Sequence, residues 1–357
     1  MGVISYKCPS CGGPLKFDPA TQKQICEYCE SLFTQEELER FYQETLTKSE
    51  EEEVSGEEAA YYQADAQGLL YTCPSCAAQI VTDETTAATF CYYCHSPVVL
   101  SGRLDGLDTP DYIIPFRIDR AQAEKIFFQW LERKKFVPKS FYSREQVDKL
   151  SGVYFPYWLY SCKADALLDA NAVRISKRVS GNTEYTYKDS YHIRREGEIE
   201  ISNITRNALK KANRILTEGV MPFEYTAIQD FDMAYLSGFV AEVKDIDKAE
   251  FEREVYMEAE QFAVQRLDAV LAGYTEVALH QKELHFKEGA WKYALMPVWT
   301  ITYRDKHKSK LYYFSINGHS GKVIGELPID GAKLFMAFLS IFMPLMLLIL
   351  LIGYFFI

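Results

Sequence analysis

The sequence predicts an α+β protein made of two small N-terminal cysteine units, a mainly antiparallel body and one C-terminal transmembrane helix. Three observations predict it. Eight of the nine cysteines form one four-cysteine pattern written twice, residues 110–330 mix two helical stretches with strand-like runs, and the last 24 residues carry no charge.

The cysteine units come first in the chain. Cys8, Cys11, Cys26 and Cys29 recur as Cys73, Cys76, Cys91 and Cys94, every member displaced by the same offset, so that both units keep one spacing within and between their pairs. Both units open with Cys-Pro-Ser-Cys after a tyrosine two positions upstream, Tyr6 and Tyr71. Zn2+ takes four thiolates tetrahedrally, and two residues between ligands let one tight turn aim both sulfurs at the same ion. Neither unit can bury enough apolar surface to fold without such a staple. The spacing therefore predicts two zinc ribbons, residues 1–33 and 67–109, with two structural Zn2+ ions. Four protein ligands leave no open metal position for substrate, so no catalysis is expected there. Disulfides would need an oxidising compartment, and Met1–Lys7 lacks the apolar core of a secretory signal. Cys91-Tyr92-Tyr93-Cys94-His95 matches a c-type haem attachment pattern, but the aligned position in the first unit is Glu30, and four pairs do not resemble a single thioredoxin-like pair. Cys162 follows an aromatic strand and is expected to be buried packing.

Between the ribbons, residues 34–66 read as an acidic linker. Gln35–Tyr42 is predicted as a short helix with Thr34 as its cap and Glu37 at the capping-box position. The glutamate run 50–53 and residues 55–58 then read either as a self-repelling tether, which would make the ribbons two separate heads, or equally as a solvated acidic face.

The body spans residues 110–330. Ala123, Ile126, Phe127, Trp130 and Leu131 lie at helical spacing in Ala121–Lys135, and a second helix is predicted over Lys248–Leu271. Tyr154–Tyr160 and Met296–Ile301 share a Pro-x-Trp core, hinting at two related strands in an internally duplicated body, and the proline in each is read as marking a strand start or edge. Residues 184–191, 198–201 and 276–286 alternate in part, as in a sheet with one wet face. Residues 312–316 and 323–327 flank Asn317-Gly318-His319-Ser320-Gly321, a hairpin by its turn chemistry.

From Leu334 to Ile357 the chain is apolar all round, and at about 1.5 Å per residue this length spans a hydrocarbon layer of roughly 30 Å. Lys322 and Lys333 lie on its N-terminal side and no basic residue follows, which predicts a single-pass cytoplasmic-membrane protein with its bulk in the cytoplasm. There Asn203-Ile204-Thr205 is an inert glycosylation pattern. Tyr6 occupies the Ser/Thr position that myristoylation at Gly2 would need.

Charge excludes some functions. Residues 1–110 hold 6 Lys plus Arg against 18 Asp plus Glu, whereas the remainder holds 33 against 32. Nucleic-acid binding needs cations to displace phosphate counterions, so the acidic ribbons weigh against it, and a membrane-tethered nucleic-acid binder is the runner-up reading. No phosphate loop, nucleophile elbow or His-Glu-x-x-His helix is present, and the protein is read as not an enzyme. His192, His280, His285, His307 and His319 are scattered without ligand spacing and are read as surface or core residues. The 47 Tyr and Phe residues are read as core and membrane-proximal packing.

Taken together, the two Cys-Pro-Ser-Cys ribbons, Gly152–Tyr160, Ala294–Trp299 and Ile316–Val323 resemble a bacterial family of TFIIB-type zinc-ribbon membrane proteins, over nearly the whole chain. Members are commonly encoded beside phage-shock-protein-A-like and SPFH (flotillin-like) proteins. The resemblance implies a non-enzymatic adaptor that recruits such protein partners to the membrane during envelope stress. The closing hairpin is also similar to those of PepSY-type domains. One departure concerns the second ribbon, where Ala77-Ala78 stands in place of Gly12-Gly13, so its turn is expected to be more strained and its metal affinity different.

Overall fold

The computed structural model describes residues 3–49, 69–91, 94–104, 106–305 and 310–356. The glutamate run 50–53 and the rest of the expected tether up to residue 66 lie outside them. The helix before it is present and longer than its first turns predict, Gln35–Ser49. Its start is a reciprocal capping box: Thr34 N–H donates to Glu37 Oε2 (2.8 Å) and Glu37 N–H to Thr34 Oγ1 (3.3 Å).

A twelve-stranded sheet runs through the body and takes in strands from the N-terminal units. Its main path runs from Val3–Ile4 through Pro97–Leu100, Thr86–Phe90, Val240–Glu242, Ser151–Ser180, Ala290–Arg304 and Leu311–Asn317 to Val323–Gly325. Most pairs are antiparallel, as the alternation predicts, but Val240–Ala241 pairs parallel with Val153–Tyr154, and Tyr112–Ile113 parallel with Ala294–Leu295. The stretches expected at 184–191 and 198–201 are parts of one strand, Thr183–Asn207, which pairs with Ser151–Ser180 almost to its end. Glycine at the first central position of the Gly181-Asn182 turn supplies the positive φ (+62°) that a two-residue hairpin loop requires. Glu276–Phe286 flanks the same long strand from Ala164 to Val173.

The two Pro-x-Trp strands take matching places in the sheet, and the two prolines show how. Pro156 lies where the neighbour of its strand changes from Val240–Glu242, paired at Val153–Tyr154, to Thr183–Asn207, paired from Tyr157. Pro297 lies where the neighbour changes from Tyr112–Ile113, paired at Ala294–Leu295, to Leu311–Asn317, paired from Val298. Neither missing N–H therefore costs a ladder bond on that side, and both prolines sit inside the sheet, not at a strand start or edge as the sequence suggests. Two residues on, Trp158 Nε1 donates to Ile246 O and Trp299 Nε1 to Ile118 O, each 2.9 Å. Each accepting isoleucine precedes a helix-capping aspartate. Asp119 accepts from Gln122 N–H at the start of helix Arg120–Glu132, and Asp247 from Ala249 N–H ahead of the short 3-10 turn Lys248–Phe251 and helix Glu252–Ala269. The return strands end alike, with Asn207 Oδ1 accepting from Leu209 N–H and Asn317 Oδ1 from His319 N–H.

The core joins these elements. Phe116 stacks on Phe239 at 4.2 Å and meets Tyr154 and Trp299 edge-on, while Phe127 and Trp130 close over Phe314. Cys162 is buried in this core beside Ile201, as expected. The last helix, Gly331–Phe356, starts on Asp330, whose carboxylate accepts from Ala332 and Lys333 N–H. It is long and apolar enough to cross a membrane, and none of its spanning window is buried against the rest of the protein.

Candidate metal centres

Each cysteine unit closes on a four-sulfur cage. In the first, Cys8 and Cys29 Sγ are 3.6 Å apart and Cys11 and Cys26 Sγ 3.4 Å; in the second, Cys73–Cys94 and Cys76–Cys91 are both 3.7 Å. All four ligand atoms of each group lie within 4.8 Å of one another. A tetrahedron with metal–sulfur bonds of about 2.3 Å has edges of about 3.8 Å, so the cages have the size a four-thiolate ion needs. A disulfide would need about 2.05 Å. All eight predicted ligands are thus brought together, four and four.

The cages arise from one turn used four times. The amide of the first cysteine of each pair receives a carbonyl five residues on: Cys8 N–H donates to Gly13 O, Cys26 to Ser31 O, Cys73 to Ala78 O and Cys91 to Ser96 O. Its carbonyl accepts from the residue four on, which is Gly12, Glu30, Ala77 or His95. Those four residues all have positive φ, +73°, +59°, +59° and +57°. The strain expected at Ala77 is thus shared by Glu30 and His95, and only Gly12 avoids it. In each pair the first cysteine is buried and the second exposed.

Serines lie beside two of the exposed cysteines, a feature that the cysteine spacing alone does not reveal. Cys29 Sγ lies 3.3 Å from Ser31 Oγ and Cys94 Sγ 3.4 Å from Ser96 Oγ. Hydrogen bonding to these serines, side chain first, lowers both thiols to about 6. The signal is in the sequence as Cys29-Glu30-Ser31 and Cys94-His95-Ser96, repeated at the same offset as the cysteines themselves. Cys11 and Cys76 behave oppositely. Backbone hydrogen bonding at Gly13 and Ala78 favours their thiolates, but the neighbouring sulfurs, with burial, outweigh it and push them up to about 12. Four sulfurs this close cannot all carry charge unless a cation joins them, which is the electrostatic condition of a metal centre.

Neither cysteine unit is a separate head, so the tether reading of the linker does not hold for the described residues. The second hairpin of ribbon two, Thr86–Phe90 and Pro97–Leu100, continues the main sheet: Ala88 pairs with Ala241 and Thr86 with Glu242. Arg103 locks it, with Nη1 donating to Thr86 O (2.7 Å) and Nε to Tyr71 Oη (3.0 Å). Ribbon one docks through its hairpin Leu15–Cys26. Phe17 N–H donates to Ser237 O (2.9 Å), Ser237 Oγ to Leu15 O (2.6 Å), and buried Gln24 Nε2 to Ala234 O (2.8 Å), while the Phe17 ring enters the body core. Tyr28 (77 % exposed) and Leu32 (44 %) remain exposed on the same unit.

The scattered histidines form no site among the described residues. His192 Nε2 meets Asp169 at 2.9 Å, His285 meets Glu283 at 3.5 Å, and His319 lies between Glu224 (3.3 Å) and Pro115 O (3.4 Å). His307 lies outside the described residues. A groove of about 600 Å³ runs between Ile201–Arg206, Met221–Tyr225 and the helix face Glu258–Gln265, and its Arg206 is held by Glu254 (3.1 Å) and Glu258 (2.5 Å).

An uncharacterized protein of Bacillus subtilis (strain 168), YdjG, is 29 % identical to this chain over 331 residues, covering 93 % of this chain and 92 % of the relative. No family model and no solved structure matches the chain.

Proposed function

We propose that this chain is a membrane-anchored, non-enzymatic zinc-ribbon adaptor that recruits or scaffolds protein partners at the cytoplasmic face of the membrane. The observation that carries the reading is the pairing of two closed four-cysteine cages, seated on one body, with an uncovered apolar helix of membrane-spanning length. Four soft thiolates suit Zn2+, and with the coordination sphere filled the ion supplies rigidity and no open position. Cys8, Cys11, Cys26 and Cys29 would hold one ion, and Cys73, Cys76, Cys91 and Cys94 the other. Rigid seating favours recognition: a cysteine unit whose hairpin is fixed by Phe17, Gln24 and Ser237 presents Tyr28 and Leu32, just beyond that hairpin, with little ordering left to do on binding. The resemblance to zinc-ribbon membrane proteins points to phage-shock-protein-A-like or SPFH-like partners and to envelope stress as the setting.

Affinity purification of the full-length protein in mild detergent from its native cells tests the proposal. A stoichiometric membrane-associated protein should accompany the native chain and be lost with Tyr28→Ala plus Leu32→Ala, which replaces none of the eight cysteines. Co-purification of nucleic acid in place of protein would overturn it.

A further inference from the structure

We infer that the turn Arg133–Lys135 is a binding site for the headgroup of an anionic phospholipid, beside the point where the last helix enters the bilayer. The inference rests on that helix spanning the membrane, as proposed above. Two bonds set the level of the site. Asp330 N–H donates to Phe136 O (2.8 Å) and Lys333 Nζ donates to Val137 O (2.6 Å). The uncharged run begins at Leu334, one residue after Lys333, so a segment held by Asp330 and Lys333 lies within about one helical turn of the hydrocarbon edge.

Helix Arg120–Glu132 ends at the same level, with Arg133 as its C-cap. Arg133, Lys134 and Lys135 are all exposed, and among the described residues none has a carboxylate within ion-pair distance. Lys134 Nζ lies 5.7 Å from the centre of the Trp130 ring, and Lys139 follows a short way along the chain. Of the acids next in the chain to the residues of this site, Asp330 is engaged as the cap of the last helix and Glu326 with Lys310 (3.0 Å), which leaves Glu132. A cavity of about 380 Å³ opens here, lined both by the three basic residues and by apolar ones, Phe136, Leu327 and Ile329 among them. Ile329 is 58 % exposed and Phe136 36 %, which is unfavourable beside water but suits the boundary between headgroups and acyl chains.

Cationic groups for a phosphate next to an apolar wall fit a phospholipid better than a free anion, for which the apolar wall has no use. Juxtamembrane basic residues attract anionic lipid with a strength of about fivefold in affinity for each Lys or Arg at the surface.

The test uses native mass spectrometry of the full-length protein from micelles containing equal phosphatidylglycerol and phosphatidylcholine. Phosphatidylglycerol should be retained preferentially, and Arg133→Gln/Lys134→Gln/Lys135→Gln should remove the preference, by about fivefold for each charge lost. Lys134→Arg/Lys135→Arg keeps the charge and should keep the preference. Equal retention of the two lipids by the native chain, an unchanged preference in the neutralised variant, or loss in the charge-keeping variant would overturn the inference. So would displacement of the lipid by millimolar inorganic phosphate, which would make this a free-anion site. Carbonate extraction of the membranes separates the two readings: release of the protein defeats the anchor, whereas a retained protein without lipid preference defeats only the headgroup site.

Discussion

Replacing Gly12 and Ala77 in opposite directions probes the turn that builds the cages. Both residues sit four after the first cysteine of a pair, with N–H donated to that cysteine's carbonyl at 2.8 Å and φ of +73° and +59°. A Cβ added at Gly12 would meet nothing within 4 Å, so Gly12→Ala changes backbone preference and no packing. Left-handed backbone costs a residue with a Cβ about 1–2 kcal/mol. Glycine's greater freedom in the unfolded chain offsets about 0.5–1 kcal/mol of that. The net is about 0.5–1 kcal/mol, or roughly two- to fivefold in metal affinity, since binding and folding of such units are coupled. Competition of the full-length protein against a chromophoric chelator should therefore show one of two metal equivalents weakened by Gly12→Ala. Ala77→Gly should tighten one equivalent by a similar factor. If Ala77→Gly weakened binding, or Gly12→Ala left it unchanged, the left-handed turn would not be what closes the cage.

Other expectations follow from the matching strands and the core. Asp119→Ala and Asp247→Ala each remove a helix cap and should each lower stability by about 1 kcal/mol in denaturant titrations, and a large inequality would argue against the equivalence of the two caps. Trp299→Phe strands the Ile118 carbonyl in the core and should cost about 1–3 kcal/mol beyond lost packing, with Trp158→Phe costing less because its partner contact is only part-buried. Burial raises the hydroxyls of Tyr154 and Tyr157 well above the usual tyrosine value of about 10. Their folded values exceed their unfolded ones, so this stability is fully present below pH 10. It falls above that by about 1.4 kcal/mol per pH unit for each group. Tyrosinate absorbance appearing near pH 10 with the fold intact for both residues would contradict their burial.

The two four-cysteine clusters are legible in the sequence because metal-binding geometry imposes a spacing that no core pattern imitates. The capping box at Thr34 and Glu37 is legible for the same reason, as a local bond between fixed positions. What the sequence hides is long-range. Thr86–Ala88 reads as part of a free ribbon, and only its pairing with Ala241–Glu242, far along the chain, makes it a body strand. Pro156 and Pro297 read as edges because proline lacks a ladder donor, whereas each occupies a junction between successive neighbours, which no local pattern encodes. The correspondence is visible at the Pro-x-Trp strands but obscured elsewhere, since the interval from Ile118-Asp119 to Ile246-Asp247 is shorter than the interval from Trp158 to Trp299. Insertions of unequal length between the markers destroy any constant period.

Metal analysis of the purified full-length protein tests the account at its base. Two zinc ions per chain are predicted, falling to one when Cys73, Cys76, Cys91 and Cys94 are all replaced by serine, with Cys162 as the single free thiol of the native protein. Iron with sulfide, disulfide-bonded cysteines, or nine freely titrating thiols without metal would contradict it.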